Sequence, residues 1–298
     1  MQGAKLDKNF SPNPAGLATI SLAGLKVAVI GGTGGIGRAI SRQLAAKGAD
    51  VVVVGQTFRD QNAPRIAFMR ADLSLLQEAR RVADQLQARV LDIVIFTTGI
   101  MAGPTREVTA EGLERDLAVS YLSRFVILNG IAPHLGKDRT KSETRPRVFV
   151  MGFPGTEQKA DVDDLNSERS YKRMAAHANT VAGNEVLVLE AARRFPDIDV
   201  FGLNPGMVKT SIRENFFGSR LSLAVVEWLT GFMMIEPDVY ARRMVPLLVS
   251  RDLNGRSGAM FNAKAQAILP SPSAQTASYA TALTTASEAL IARAGRAG

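Results

Sequence analysis

Val27-Ala28-Val29-Ile30 runs straight into Gly31-Gly32-Thr33-Gly34-Gly35-Ile36-Gly37, and Ala39 to Leu44 then follows at helical spacing. No other stretch limits the fold as tightly. The short apolar run reads as a buried strand. A strand that feeds a helix through glycines leaves the helix's first N–H groups unpaired. With the positive end of the helix dipole, those groups attract a phosphate. A Cβ here would block the tight turn and the close approach of a diphosphate. The spacing Gly31, Gly35, Gly37 differs from the G-x-G-x-x-G dinucleotide fingerprint. A glycine turn alone is weak evidence, because turns are rich in glycine for steric reasons. Its place between a strand and a helix, at the head of an alternating chain, favours the nucleotide reading.

The alternation continues. Val51-Val52-Val53-Val54 is a second strand, and unbroken valine argues for burial on both faces, as in a parallel sheet covered by helices. Further strands are expected at Arg65 to Met69, Asp92 to Phe96, Arg147 to Met151, Asp199 to Leu203 and Gly255 to Phe261. The first helix should stop near Lys47-Gly48, and a second should run from Leu75 to about Ala88, capped by Asp72 with Ser74. Thr109 reads as the N-cap of a third helix, with Glu111 in its first turn. Leu113, Leu117, Ser120, Tyr121, Arg124, Phe125 and Leu128 then recur at helical spacing. Pro237-Asp238 starts another helix, and a short one is expected at Thr284 to Ala294. The fold class is therefore α/β: a doubly wound parallel sheet of the Rossmann type, in a single domain with a variable lid from Ser211 to about Ile235. Residues 1–24 read as an N-terminal extension, 25–270 as the domain and 271–298 as a C-terminal tail.

Composition narrows the function. The chain has 298 residues, no cysteine and two histidines, His134 and His177. Disulfides, thiolate metal sites and a cysteine nucleophile are excluded, and a histidine metal site is not expected. The net charge of +8 is spread through the chain, as at Arg80, Arg81, Arg193 and Arg194, and only 6% of residues are aromatic. Nucleic-acid binding would want a clustered basic stripe with stacking aromatics, so no nucleic-acid partner is expected. The longest apolar stretch, Leu221 to Ile235, is broken by Glu227 and Gly231 and is too short to span a bilayer. A cytoplasmic protein with no integral membrane span is the expectation.

The segment after the second strand sets coenzyme preference. A carboxylate there would hold the ribose 2′-hydroxyl of NAD. The chain has Gly55-Gln56-Thr57-Phe58-Arg59 instead, and Asp60 lies too far along. Arg38 and Arg59 can pair with a 2′-phosphate, and Gln56 and Thr57 can donate to it. NADP is favoured over NAD. The bland alternative is that both arginines are plain surface residues.

Ile30 to Gly37 resembles the T-G-x-x-x-G-x-G turn of the short-chain dehydrogenase/reductase family, with Ile30 in place of the threonine. Ala71-Asp72-Leu73 is similar to the family's Asp-Leu pair beside the adenine. Phe96-Thr97-Thr98-Gly99 stands where the family has N-N-A-G; only Gly99 is retained, and Thr97 can replace the lost bracing of the sheet centre in part. Asn204-Pro205-Gly206-Met207-Val208-Lys209-Thr210 resembles the P-G-x-V-x-T turn. The resemblance spans Leu25 to Phe261. It implies a nicotinamide coenzyme held by Gly31, Thr33, Gly34, Gly35, Ile36, Gly37, Asp72, Leu73, Thr98, Gly99, Pro205, Gly206, Val208 and Thr210. It also implies a homo-oligomer, a dimer or tetramer, through the helices near Leu117 and Val186.

Ser167 to Leu187 aligns without gaps to the family's catalytic helix, and most closely to its retinol-dehydrogenase-like branch. That helix normally carries Y-x-x-x-K, whose lysine lowers the pKa of the tyrosine. Here the two positions are His177 and Val181, so the charge that would tune the acid is absent. Ser120 replaces the catalytic asparagine, and Gly152-Phe153 replaces the catalytic serine. Tyr171 lies six residues before His177, which on one continuous helix is the wrong face. An imidazole titrates near ~6.5 and is a competent acid at neutral pH, so His177, with Ser120, is the candidate catalytic pair. The plainer alternative makes His177 a polar lining residue, and Asn179, Thr180 and Asn184 packing or solvent-facing residues. The expected function is an atypical NADP(H)-dependent reductase of a small carbonyl- or imine-like substrate. The alternative is an NADP(H)-binding protein without redox turnover: a regulator, a scaffold or a non-redox cyclase-type catalyst.

Overall fold

The computed structural model describes residues 4–140, 144–206 and 235–296. Its strands are β1 Lys26–Ile30, β2 Asp50–Gly55, β3 Ile66–Arg70, β4 Ile93–Phe96, β5 Arg147–Met151, β6 Asp199–Leu203, β7 Met260–Phe261 and β8 Ala267–Ile268. They form one sheet in the order β3-β2-β1-β4-β5-β6-β7-β8. Every neighbouring pair is parallel except β7 and β8. The helices are α1 Gly35–Ala46, α2 Leu76–Gln85, α3 Arg115–Leu117, α4 Ser123–Ile131, α5 Arg173–Arg194, α6 Pro237–Leu248 and α7 Ala277–Ala294. A π-helical turn, Ala118–Leu122, joins α3 to α4 without a break.

Alternate strand residues feed two cores. Ala28, Ile30, Val94 and Phe96 face the layer of α2, α4, α5 and α7. Val27, Val29, Ile93 and Ile95 face the layer of α1 and α6. All eight are 0–3% exposed, which is why these strands are apolar throughout rather than alternating. The chain crosses from one layer to the other between β1 and β4. At such a switch point the carboxyl ends of the strands open a crevice for a ligand.

Several boundaries depart from the sequence expectation because side chains from distant segments set them. Asp72 accepts from the Ser74 N–H and hydroxyl at 3.0 and 2.8 Å, but this turn precedes α2 and does not cap it. The cap is Glu111, whose carboxylate accepts from Leu76 N at 2.5 Å and Gln77 N at 3.0 Å. Thr109 is likewise no N-cap. It closes a turn through Leu113 N at 3.3 Å, and the helix begins at Arg115, capped by Glu114. The expected last strand shrinks to Met260–Phe261 and gains an antiparallel partner, β8, that periodicity does not announce. Leu6 bridges Ile268, so the N-terminal extension runs along this edge.

The C-terminal helix begins at Ala277 rather than Thr284. It packs on α5, and Ser287 Oγ lies 2.8 Å from the Tyr121 hydroxyl. Tyr121 in turn presses its ring on Gly183, where an added Cβ would lie 2.7 Å from ring carbons. Leu117 and Val186 are each 1% exposed. The face expected to pair with another subunit is thus covered by the chain's own last helix. Among the described residues, no helix is long and apolar enough to cross a membrane. The expected lid, Ser211 to Ile235, lies outside the described residues except for Ile235.

Glu185, 2% exposed on α5, fastens this C-terminal segment. Its carboxylate accepts from Gly155 N at 3.0 Å, Ser271 N at 2.6 Å and the Ser271 hydroxyl at 2.9 Å. Burial pushes its pKa up, against those three donors. A carboxyl whose pKa is raised by folding loses stability for the fold as pH climbs through its unfolded value towards the folded one. Glu185→Gln keeps acceptors for both N–H groups, so it should fold with little loss and abolish that slope. Glu185→Ala strands three buried donors and should cost about 3–5 kcal/mol. Thermal melts at several pH values check both.

Candidate active site

The crevice is built around α1. Gly31 has φ +92°, open to glycine, and a Cβ there would meet Thr98 N at 2.5 Å. At Gly37 a Cβ would meet Thr97 Oγ1 at 2.3 Å and the Gly31 carbonyl oxygen at 2.5 Å. The turn can therefore lie flat against the end of β4. Thr97 Oγ1 also donates to the Ile30 carbonyl at 3.0 Å, supplying the bracing expected of it. Gly34 caps α1 with no side-chain bond, and no acidic residue stands in the first turn. The helix therefore starts at Gly35 and Ile36 without a side-chain acceptor for its leading N–H groups, the condition under which a helix start attracts a phosphate.

The residues expected to set coenzyme preference lie near the start of α1. Asp60 lies beside two arginines. Arg38 Nε and Nη2 both donate to its carboxylate at 2.8 Å, and Arg42 stands 3.9 Å away. The Arg38 fork holds the Asp60 carboxyl below its ordinary range. Arg59 Nη1 donates to the Thr33 carbonyl at 3.1 Å, over Gly34. Arg38 is half-buried in its pair with Asp60, and Arg59 is exposed. Gln56 is exposed. Burial raises the Asp72 pKa, but donors from Ser74 and Gln56 outweigh it and the net shift is downward. Thr57 is exposed, and Leu73 is buried behind Asp72.

The sheet centre holds the groups that carry chemistry. His177 Nδ1 lies 2.8 Å from Asp116 Oδ2, with the carboxylate fully buried and the imidazole 14% exposed. Ser120 Oγ donates to the other oxygen, Asp116 Oδ1, at 2.5 Å and accepts from Ile100 N at 3.0 Å. The Ser120 proton is thus committed to a carboxylate, so Ser120 fits an orienting role beside His177. Nor is this a serine nucleophile, which would have to bond the histidine directly. Asp116 fixes the imidazole with Nδ1 inward, leaving Nε2 as the nitrogen for a reacting group. Glu114 supports the pair by capping α3 through Asp116 N at 3.1 Å and Leu117 N at 2.7 Å. Burial pushes the Glu114 pKa up.

Arg124 is buried at the ends of β4 and β5. Nη2 donates to the Thr98 carbonyl, and Nη1 donates to the Met151 carbonyl and to Asn184 Oδ1, the last at 2.9 Å. Gly99 passes beside it, with room for a Cβ 3.6 Å from Nη2. Asn184 Nδ2 donates to the Ser120 carbonyl at 2.8 Å and to the Thr180 carbonyl at 2.7 Å. Asn179 is also buried, bonded to Asp161 N and the Leu165 carbonyl. Asn179 and Asn184 are therefore structural linkers inside the protein, not solvent-facing residues.

Other expected positions fall as follows. Val181 is buried, and Gly152 lies against Asn184. The first hydroxyl after β5, Thr156 Oγ1, turns back onto the Phe153 carbonyl at 2.6 Å. Tyr171 precedes the first residue of α5, so the helix-face argument does not apply to it; its hydroxyl bonds the Gly103 carbonyl at 2.6 Å. Pro205 and Gly206 follow β6, with Gly206 at φ +64°. Val208 and Thr210 lie outside the described residues. Among the described residues, no cluster of three His, Cys, Asp or Glu side chains is placed to hold a metal ion. Sequence reasoning missed Asp116 and the role of Arg124. The available signal was Asp116, Ser120 and Arg124 at four-residue spacing, a polar stripe on an otherwise apolar helix.

A glycine turn at the head of a doubly wound parallel sheet defines a nucleotide-binding dehydrogenase fold. The model of the short chain dehydrogenases matches residues 26–142. The chain is 48% identical over 273 residues to "Uncharacterized oxidoreductase YKL107W" of Saccharomyces cerevisiae, across 90% of this chain and 88% of the yeast protein. It belongs to the short-chain dehydrogenase/reductase family and is an oxidoreductase of that type, a family that binds NAD or NADP. Human polyprenol dehydrogenase is 23% identical over 277 residues, covering 86% of this chain and 79% of the human one. Among solved structures, the Pseudomonas aeruginosa RhlG/NADP active-site complex superposes with a TM-score of 0.61 at 22% identity, over 81% of this chain and 95% of that one. That likeness is one of fold.

Proposed function

We propose that the chain is an NADP(H)-dependent reductase of a small carbonyl- or imine-like compound, with His177 as the proton donor. The observation that carries this is the 2.8 Å bond from the His177 imidazole to the buried Asp116 carboxylate. The coenzyme fits the residues present. The uncapped start of α1 would take the diphosphate, and Asp72 with Leu73 would border the adenine. Thr98, Gly99, Pro205, Gly206, Val208 and Thr210 would border the nicotinamide. When bound, NADPH supplies a hydride to the substrate's electrophilic carbon. The chain's part is to hand a proton from His177 Nε2 to the oxygen or nitrogen that gains charge. The Asp116 carboxylate then keeps the imidazole turned for the next cycle.

Arg38, Arg42 and Arg59 surround the single carboxylate of Asp60, which leaves net positive charge at the adenosine end. This supports the phosphorylated coenzyme. Arg38→Ala with Arg59→Ala should weaken NADPH binding at least tenfold and leave NADH binding within about threefold. Titration calorimetry with both coenzymes reads the difference; equal losses for the two would refute the preference.

Turnover itself is tested by NADPH oxidation with an activated α-diketone such as benzil. Tight coenzyme binding without turnover across ketones, aldehydes and cyclic imines would favour the second reading, a binding protein without redox chemistry. The replacement of the family's tyrosine and lysine by His177 and Val181 speaks for that reading. A homo-oligomer would need a face other than the one α7 covers, and light scattering would give its mass.

A further inference from the structure

We propose that Arg124 is a positioning residue that holds the Asp116–His177 pair through Asn184 and the Ser120 carbonyl. The proposal rests on the reading of His177 as the proton donor.

Arg124 is 3% exposed, and none of its bonded partners is a carboxylate. Burying a guanidinium among neutral groups is expensive, and it is tolerated where the charge has a task. Burial pushes its pKa down to about 9, with Asp116 acting in the opposite direction, so it stays a cation at neutral pH. Its nitrogens tie the Thr98 carbonyl, just beyond β4, and the last carbonyl of β5 to α5. Asn184 carries the connection onward to the Ser120 carbonyl, inside the π turn. Ser120 Oγ and His177 Nδ1 then share the two oxygens of Asp116. The chain Arg124–Asn184–Ser120–Asp116–His177 is thus unbroken. A π turn widens a helix locally and needs outside support. Here Asn184 supplies it at the residue whose hydroxyl anchors the carboxylate. In the family pattern the charge and the acid lie four residues apart on one helix. In this chain the charge sits on α4 and the acid on α5, and Asn184 spans the gap.

The test uses the full chain, labelled with 15N and saturated with NADPH. The sequence holds only His134 and His177, so His134→Gln assigns the imidazole signals. Arg124→Met should move the His177 Nδ1 signal towards its position in Asp116→Asn, while Arg124→Lys stays near the parent. With benzil, Arg124→Met should lower kcat at least tenfold and leave KM within threefold. If Arg124→Met does not fold, Asn184→Ala carries the same test, because it cuts the link and keeps the cation. A folded Arg124→Met or Asn184→Ala with parental His177 signals overturns the proposal. Full turnover in His177→Ala would instead overturn the proton-donor reading, and the imidazole signals would still judge Arg124.

Discussion

Replacing His177 by alanine is expected to lower NADPH-dependent reduction of benzil by about 10²- to 10⁴-fold, the range a positioned general acid contributes. Coenzyme affinity should stay within about threefold, because the imidazole is held by Asp116 and not by the glycine turn. Asp116→Asn should produce most of the same loss. An amide in place of the carboxylate removes the charge that stabilises the doubly protonated imidazolium, the form that can donate from Nε2 while Nδ1–H stays bonded. Steady-state rates and a fluorescence titration of NADPH separate the two effects. Unchanged rates in both variants would leave positioning against the coenzyme as the whole of the chemistry.

The second large effect is expected at Gly37. An alanine Cβ would lie 2.3 Å from Thr97 Oγ1 and 2.5 Å from the Gly31 carbonyl oxygen, closer than atoms can approach. Either the turn lifts from β4 or Thr97 gives up its bond to Ile30. Both displace the start of α1. Gly37→Ala should lose NADPH binding by more than about 100-fold and lose about 1–3 kcal/mol of stability from overpacking. Gly34→Ala is the control. Its Cβ would meet only the flexible end of Arg59, at 3.1 Å, and φ at Gly34 is −155°, which any residue adopts. That variant should melt like the parent, so any loss of binding there reports crowding of the phosphate site alone. A Gly37→Ala protein that binds NADPH normally would show that the turn does not seat the coenzyme.

The parallel sheet and its glycine turn were legible because their causes are local. Val51 to Val54 is apolar throughout because both faces of β2 are covered, and a run of valine states that directly. His177 was legible through its place in a helix whose pattern resembles a known one. Asp116 was not, because its meaning depends on α5, some sixty residues along the chain. Capping failed for the same reason. Thr109 has the chemistry of an N-cap, but Glu114 is better placed, and Glu111 serves a helix in another part of the chain. The pairing of Asp60 with Arg38 was not legible, because the two are 22 residues apart in the chain. Strand β8 has two residues, too few for any period to show. Local chemistry names what a residue can do. Which of its options it takes is decided by long-range packing.

His177 and the Asp116 carboxylate bonded to it stand on two separate helices, α5 and α3, and α7 packs on α5. A tyrosine–lysine couple on one helix moves as a unit, so sliding that helix leaves the couple intact. Here a shift of one ångström between neighbours would part acid from anchor. With His177 as the proposed proton donor, turnover is expected to depend on how firmly the last helix is seated. Mild loosening at that end should silence the chemistry before the coenzyme is released.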